Sequence, residues 1–567
     1  MLSCDSHYLN SNRKIRELIV VCRNEFLPLF NGNLLKLIKS ISSLITPVGT
    51  TDSEIKGKLG SAFDWSTADS TLLGIIYESL IDSVSGDSSK KGFRRRSGIF
   101  YTPAYITEFL VSTALDNCLS VKEGEIPRII DPACGCGAFL ITALRDLKIR
   151  FPSLEPEKIA IEFIHGVDTD PGAVEVARMS LAIECGFPAN KAVKFEKNVR
   201  QGDSLKEFHG ANREFDIVVG NPPYRNVKRG IPDNIRDFCI ENYRTAKGQW
   251  DLASPFVELS LEHLLKPGGA CGLILPNPVL LAENYLPVRK IIRENTPIAF
   301  GPAGEPFDDP KVEASLLVAR SGKSRGGSVE VIDGKGGKIS RVRKAGRSLF
   351  KRLPFMIFSH LAEPDLLEPI LDKIEKGGLV QLGSLVKLRR GLEIGKNDKR
   401  VKPVSRGGNL LTGESVSRFN YEIRHRFTSN ENKENKVGLL KDSGLWSGER
   451  ALLLRRVAPY PIAAVIESPV YFLNTLYKIT GDGLDEHSLC AFLNSRFFGE
   501  IFRQIYAFDD RIFPYIRMSQ IKNVPVPRNA VRDEILAGLS KRIHREKSSD
   551  VESIRFEIDE RVRRMYF

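Results

Sequence analysis

Asn221-Pro222-Pro223-Tyr224 is a run whose residue types can grip an amine. Two successive prolines stiffen it and take away two N–H donors, so acceptors dominate. The Asn221 side-chain oxygen and the Pro222 carbonyl can each accept one hydrogen of an –NH₂ group, while the Tyr224 ring stacks on the flat molecule that carries it. An aromatic or amide amine is a poor nucleophile because its lone pair is delocalised. Drawing both hydrogens into acceptors localises that pair and aims it at an electrophile. The bland alternative is a turn in which Asn caps and Pro-Pro breaks a strand.

The elements around the run decide between these readings. Phe215–Gly220 is a continuous apolar stretch of the kind that forms a buried parallel strand, and open α/β sheets hold ligands at the carboxyl ends of such strands. Three acids are expected at earlier strand ends. Asp131 follows Arg128-Ile129-Ile130 and opens the turn Pro132-Ala133-Cys134-Gly135-Cys136-Gly137, where a carboxylate favours a cation or an amino group over a pyrophosphate. Asp168 follows Phe163–Val167 and suits ribose hydroxyls, with Asp170 capping the helix from Ala173 to Ile183. Asp203 follows a strand expected near Val193–Phe195 and can accept from an adenine amine. Upstream, Tyr101-Thr102-Pro103 opens a helix with Thr102 as N-cap and Pro103 at the first helical position. Downstream, a helix from Pro255 to Leu265 leads to strands at Gly269–Pro276 and Ala314–Ala319.

A chain of 567 residues with 42% hydrophobic content implies about three or four globular domains. No apolar run reaches the length of a membrane span, and Met1-Leu2-Ser3-Cys4 does not open a secretory signal, so a cytoplasmic protein is expected. The nine cysteines show no Cys-x-x-Cys pair and no nearby histidine cluster, which argues against a disulfide framework and against a metal site. Glu54-Ile55-Lys56 matches a nuclease core pattern, but without an accompanying strand or upstream acid it reads as chance. The net charge of +13 is uneven: residues 1–320 carry 38 Lys+Arg against 40 Asp+Glu, whereas residues 321–567 carry 45 against 30. The whole basic excess therefore lies in the C-terminal part, where a polyanion would bind.

The N-terminal stretch is helical by periodicity, at Ile15-Leu18-Ile19-Cys22, Leu34–Ile41 and Leu72–Leu80, and Ser83–Arg96 reads as a basic loop. Ser321–Lys351, rich in Gly, Lys, Arg and Ser, reads as a basic linker or exposed hairpin. Beyond it, Leu388–Asp398, Leu453–Val457, Tyr471–Tyr477 and Leu493–Phe498 interleave aromatics with Arg, and one helix is expected over Arg528–Arg564.

In this order of motifs, from about Leu72 to Pro527, the chain resembles the gamma-class DNA adenine-N6 methyltransferases, in particular the methylase region of Type IIG restriction–modification proteins. The resemblance implies a Rossmann-like seven-stranded sheet. It also implies a helical N-terminal domain (1–95), a methyltransferase domain (96–320), a connector (321–378) and a mixed α/β target-recognition domain (379–567). It places Tyr101, Thr102, Pro103, Asp131, Ala133, Gly135, Gly137, Asp168, Asp203 and Asn221 around S-adenosylmethionine. Asn221 and Pro222 would hold the amine of an adenine flipped out of duplex DNA, with Pro223 in the same catalytic loop and Tyr224 and Phe307 on the base's two faces. The implied partners are duplex DNA and, in such systems, a cognate restriction endonuclease, with no membrane. Rival expectations are a protein glutamine methyltransferase, a cytosine-N4 methyltransferase, and a DNA-binding specificity protein with a decayed site.

Overall fold

Apolar strands buried on both faces require a parallel sheet covered by helices, and the computed structural model contains one. It describes residues 18, 22, 34–45, 70–84, 102–187, 189–227, 230–304, 306–307, 313–324, 326–393, 401–402, 408–427, 450–506, 515–545 and 550–567. Tyr101, Ile15, Ile19, Glu54–Lys56, most of the Ser83–Arg96 loop and Ile394–Asp398 lie outside the described residues. The chain divides into two units, Met1–Arg347 and Ser348–Phe567.

In the first unit the strands are β1 (Ile129–Asp131), β2 (Ile164–Asp168), β3 (Val199–Gln201), β4 (Phe215–Gly220), β5 (Leu265–Pro276), β6 (Thr296–Pro302), β7 (Ala314–Arg320), β8 (Ser328–Asp333) and β9 (Ser340–Gly346). They form one sheet in the order β3-β2-β1-β4-β5-β7-β6-β8-β9. The first five are mutually parallel, β7 runs against its neighbours β5 and β6, and β9 runs against β8. Strands β1–β7 match the count of seven that the resemblance implies, though β6 was not singled out from sequence; β8 and β9 extend the sheet to nine.

Within residues 321–378, expected as a connector with Ser321–Lys351 a basic linker or exposed hairpin, β8 and β9 form such a hairpin, joined to the sheet through β8. Val329 and Val331 point inward in alternation, and an irregularity of register after Val331 lets Ile332 be buried as well, so β8 has a face to bury, and the unit boundary falls at Arg347. The third strand is displaced. Val193–Phe195 ends a 3₁₀ helix with Val193 exposed, whereas Val199, fully buried opposite Gly166, begins β3.

The helices covering the sheet include α1 (Leu34–Ile45), α2 (Leu72–Val84), α3 (Ala104–Asp116), α4 (Ala138–Arg150) and α5 (Pro171–Glu184). Residues of α1 and α2 share one apolar cluster with Val176 and Met179 of α5, so these N-terminal helices belong to the first unit rather than to a separate core. Gly137, in the left-handed region at φ 90°, starts α4; a Cβ there would lie 3.1 Å from the Cβ of Ala177. Near the start of β4, the buried Asp216 carboxylate is satisfied by Lys266 Nζ at 2.9 Å, the Ser120 hydroxyl at 2.7 Å and the Arg128 N–H at 2.9 Å. Those partners offset the cost of an internal charge.

The second unit is mixed α/β. An antiparallel sheet joins Lys387–Arg390, Leu476–Thr480, Ala451–Arg455 and Ala463–Ile466 in that order. Its buried cluster contains Leu411, Leu453, Ile466, Phe472 and Leu476. The single helix expected over Arg528–Arg564 is instead a 3₁₀ turn at Arg528–Val531 followed by helices Glu534–Arg545 and Val551–Tyr566.

Candidate active site

The strand order fixes where chemistry can occur. From β1 the chain steps outward through β2 to β3, then crosses to β4 and β5 on the other side. The crevice between the ends of β1 and β4 is therefore a topological switch point. Ile129 pairs with Ile217 and Ile130 with Val218, so Asp131 and the Asn221 loop leave the same edge. Gly220 makes this closeness possible, since a Cβ on it would lie 2.7 Å from Asp131 Oδ1.

A cavity of about 490 Å³ opens at this edge, and Thr102, Asp131, Ala133, Gly135, Asp168, Asp203, Asn221 and Pro223 line it. The expected strand-end acids and the tetrapeptide thus converge on one space. Asp131 Oδ1 accepts from the Ala133 N–H at 2.9 Å. The Asp168 carboxylate accepts from the Gly135 and Asp170 N–H groups, each at 2.9 Å, which aims it across the glycine turn. Asp170 caps α5 through the Gly172 N–H at 2.9 Å, as expected. Asp203 caps a short helix through the Leu205 N–H at 3.2 Å while lining the cavity.

Burial raises all three acids. It pushes the Asp131 carboxyl up to about 8, against the pull of the Ala133 N–H, and the nearby Asp168 charge adds to the rise. Asp168 and Asp203 are also raised by desolvation, opposed by backbone N–H donors and, for Asp203, by Lys206. Glu78 and Asp170 bring the lining carboxylates to five, and Arg225 is the one lysine or arginine among the described lining residues. As these acids ionise, such a wall repels phosphates and favours a ligand that carries positive charge. S-adenosylmethionine, with its sulfonium and ammonium groups, fits that donor set.

The amine clamp has its own support. Asn221 Nδ2 donates to Thr102 Oγ1 at 3.3 Å, while Asn221 Oδ1 is buried and accepts no hydrogen bond. Thr102 therefore fixes the amide plane instead of capping α3, whose cap position is Pro103. The Tyr224 and Phe307 rings meet edge to face with centroids 6.2 Å apart. Backbone hydrogen bonds pin the following loop, with Leu252 N–H donating to Arg225 at 2.9 Å and Val227 N–H to Trp250 at 3.0 Å. Pro103, Gly137, Pro222, Tyr224 and Phe307 do not line the cavity; Gly137 serves helix packing. Tyr77, Glu78 and Arg225 line it without having been singled out from sequence, and only Arg225, adjoining the tetrapeptide, carried a positional signal.

This sheet order and cation-selecting crevice define an S-adenosylmethionine-dependent methyltransferase. Residues 68–349 match the N-6 DNA methylase family, and residues 408–526 match the TaqI-like C-terminal specificity domain. It is an adenine-specific DNA methyltransferase of the restriction–modification kind. It is 24% identical over 347 residues to the Type II methyltransferase M.VspI of Vibrio sp. (strain 343), covering 60% of this chain and 75% of that one. Over 231 residues it is 31% identical to the Type I restriction enzyme MjaIX methylase subunit of Methanocaldococcus jannaschii, spanning 40% of this chain but only 36% of that one. A solved structure of the Type IIL restriction–modification enzyme MmeI in complex with DNA matches in fold with a TM-score of 0.60 and 12% identity. The match covers 92% of this chain and 82% of that one. Among the described residues no helix is long and apolar enough to cross a membrane.

Proposed function

We propose that Asn221 Oδ1 and the Pro222 carbonyl hold the N6 hydrogens of an adenine drawn out of the duplex, while Thr102, Asp131, Asp168 and Asp203 hold the methyl donor. The observation that carries this reading is the buried, unbonded Asn221 Oδ1, held one residue beyond the Gly220 that touches Asp131. A buried acceptor without a partner costs about 1–3 kcal/mol, a cost that an incoming N–H removes. S-adenosylmethionine, when bound, supplies a methyl group made electrophilic by its sulfonium charge. Asp131 meets the donor's ammonium, Asp168 its ribose hydroxyls and Asp203 its adenine amine. Tyr224 stacks on the target base, and Phe307, edge to face with the Tyr224 ring at 6.2 Å, turns to reach its other side; stacking worth roughly 1–3 kcal/mol per aromatic face helps offset the few kcal/mol of extruding the base.

The basic C-terminal part, residues 379–567, reads the target sequence, its cations setting the register on the phosphates and a few side chains reaching base edges. The setting proposed is the cytoplasm, with a restriction endonuclease of the same specificity as functional partner. The decisive test is Asn221→Ala. Methylation of target DNA should fall by about 10²–10³-fold while S-adenosylmethionine affinity stays within threefold. Full-rate methylation by the variant would sink the clamp, and N4-methylcytosine rather than N6-methyladenine in nucleoside digests would change the target base.

A further inference from the structure

The cavity has a wall that does not come from the sheet. Helix α2, which ends eighteen residues before Thr102, presents Tyr77 and Glu78 to the same space as Asp131 and Asp168. Tyr77 is 8% exposed, and its hydroxyl lies 3.3 Å from both carboxylate oxygens of Asp170. Asp170 in turn donates its N–H to Asp168 Oδ1 at 2.9 Å, so a chain of two hydrogen bonds runs from α2 to the acid at the end of β2. Gly172 accommodates this approach, since a Cβ there would fall 2.1 Å from the Tyr77 hydroxyl. Glu78 Oε1 lies 4.0 Å from the position of a Cβ on Gly135, the residue whose N–H the Asp168 carboxylate accepts, so the two carboxylates flank the glycine turn.

From this arrangement we infer that Glu78 is a cofactor-binding residue and Tyr77 a positioning residue, so that the methyl-donor site is completed by the helix preceding the methyltransferase sheet. The assignment rests on the reading of this cavity as the donor site. Charge gives Glu78 a specific task. S-adenosylmethionine carries one more positive charge than its product S-adenosylhomocysteine, and a carboxylate within the low-dielectric cavity favours the charged ligand. Glu78 therefore contributes both an acceptor and a preference for the unreacted cofactor, which assists product release.

Calorimetric titration of the full-length protein with S-adenosylmethionine and with S-adenosylhomocysteine tests the inference. Glu78→Gln should weaken S-adenosylmethionine at least tenfold and S-adenosylhomocysteine several-fold less, at an unchanged melting temperature. Glu78→Asp should restore part of the preference. Tyr77→Phe should weaken both ligands about equally, by roughly three- to tenfold, because it acts only through Asp170 and Asp168. Affinities of Glu78→Gln within twofold of the parent for both ligands would overturn the assignment, as would an equal loss for both accompanied by a lowered melting temperature. Asp168→Asn separates the levels. If it abolishes binding while Glu78→Gln has no effect, only the role of α2 falls; if neither variant affects binding, the reading of the cavity itself fails.

Discussion

The two units solve opposite electrostatic problems. The first gathers five carboxylates and one arginine around a crevice built for a small cation, and buries three of those acids deeply enough to raise them. The second, residues 348–567, carries 37 Lys+Arg against 28 Asp+Glu and spreads that excess along its length. In its antiparallel sheet Arg389 lies directly opposite Lys478, a like-charge pair that destabilises an isolated sheet. Burial and Arg389 hold the Lys478 ammonium below its usual range. One unit concentrates charge at a point to match a compact ligand, and the other distributes it to match a polymer. The fold follows: parallel strands bring acids to one edge, whereas an antiparallel sheet offers a face.

Three measurements break or sharpen this contrast. The largest effect is expected from Gly220→Ala, which forces a methyl group against the Asp131 carboxylate. It should cost about 1–3 kcal/mol in S-adenosylmethionine affinity by calorimetry while DNA affinity is retained, and unchanged cofactor binding would show that Asp131 does not shape the crevice. Next comes pH. The Asp131 carboxyl stands at about 8 in the folded protein and near ~3.9 in an unfolded chain. A raised acid keeps its proton when folded, so the unliganded protein loses stability as pH rises from about 4 to about 8, by up to ~1.4 kcal/mol per unit. A bound ammonium relieves that loss. The rise in melting temperature on adding S-adenosylmethionine should therefore be larger at pH 8 than at pH 6, and an equal shift at both would remove Asp131 from the cation's surroundings. The smallest effect concerns the basic face. Arg389→Ala and Lys478→Ala should each lower the slope of log affinity for DNA against log salt by about 0.9, with cofactor affinity unmoved; an unchanged slope would place the duplex elsewhere.

Much of the catalytic edge was legible because its chemistry is local. An acid or an Asn-Pro-Pro-Tyr run at the end of an apolar strand announces both position and reactivity, and Asp131, Asp168, Asp203 and Asn221 do converge on one cavity. Asp170 was legible as a cap for the same reason. What escaped depends on partners distant in sequence. Thr102, expected at the donor site only through the resemblance, reads by position as a helix cap; that its hydroxyl oxygen accepts from Asn221 Nδ2, 119 residues later, no local pattern shows. Glu78 looked like an ordinary polar position on an amphipathic helix, since only packing against α5 turns it toward the crevice. The hairpin of β8 and β9 was one of the two readings of Ser321–Lys351, but not its place in the sheet, which comes from the pairing of β8 with β6. Short strands such as β3 are set by neighbours more than by propensity.

The glycine-rich bend between β8 and β9 has a practical use. It joins the fourth and fifth strands from β4 in the sheet order, roughly 19–24 Å away at the usual ~4.8 Å spacing. Residues 335–338 there are exposed, with Gly336 at φ 65°. The bend's first residue leans on the segment before Phe307, with the Gly334 N–H donating to the Pro302 carbonyl at 3.0 Å and Gly334 packed against Ala303 and Gly304, so a small fluorophore carried at Gly336 should sense, as a change in emission, the moment when the Phe307 segment takes up the target base.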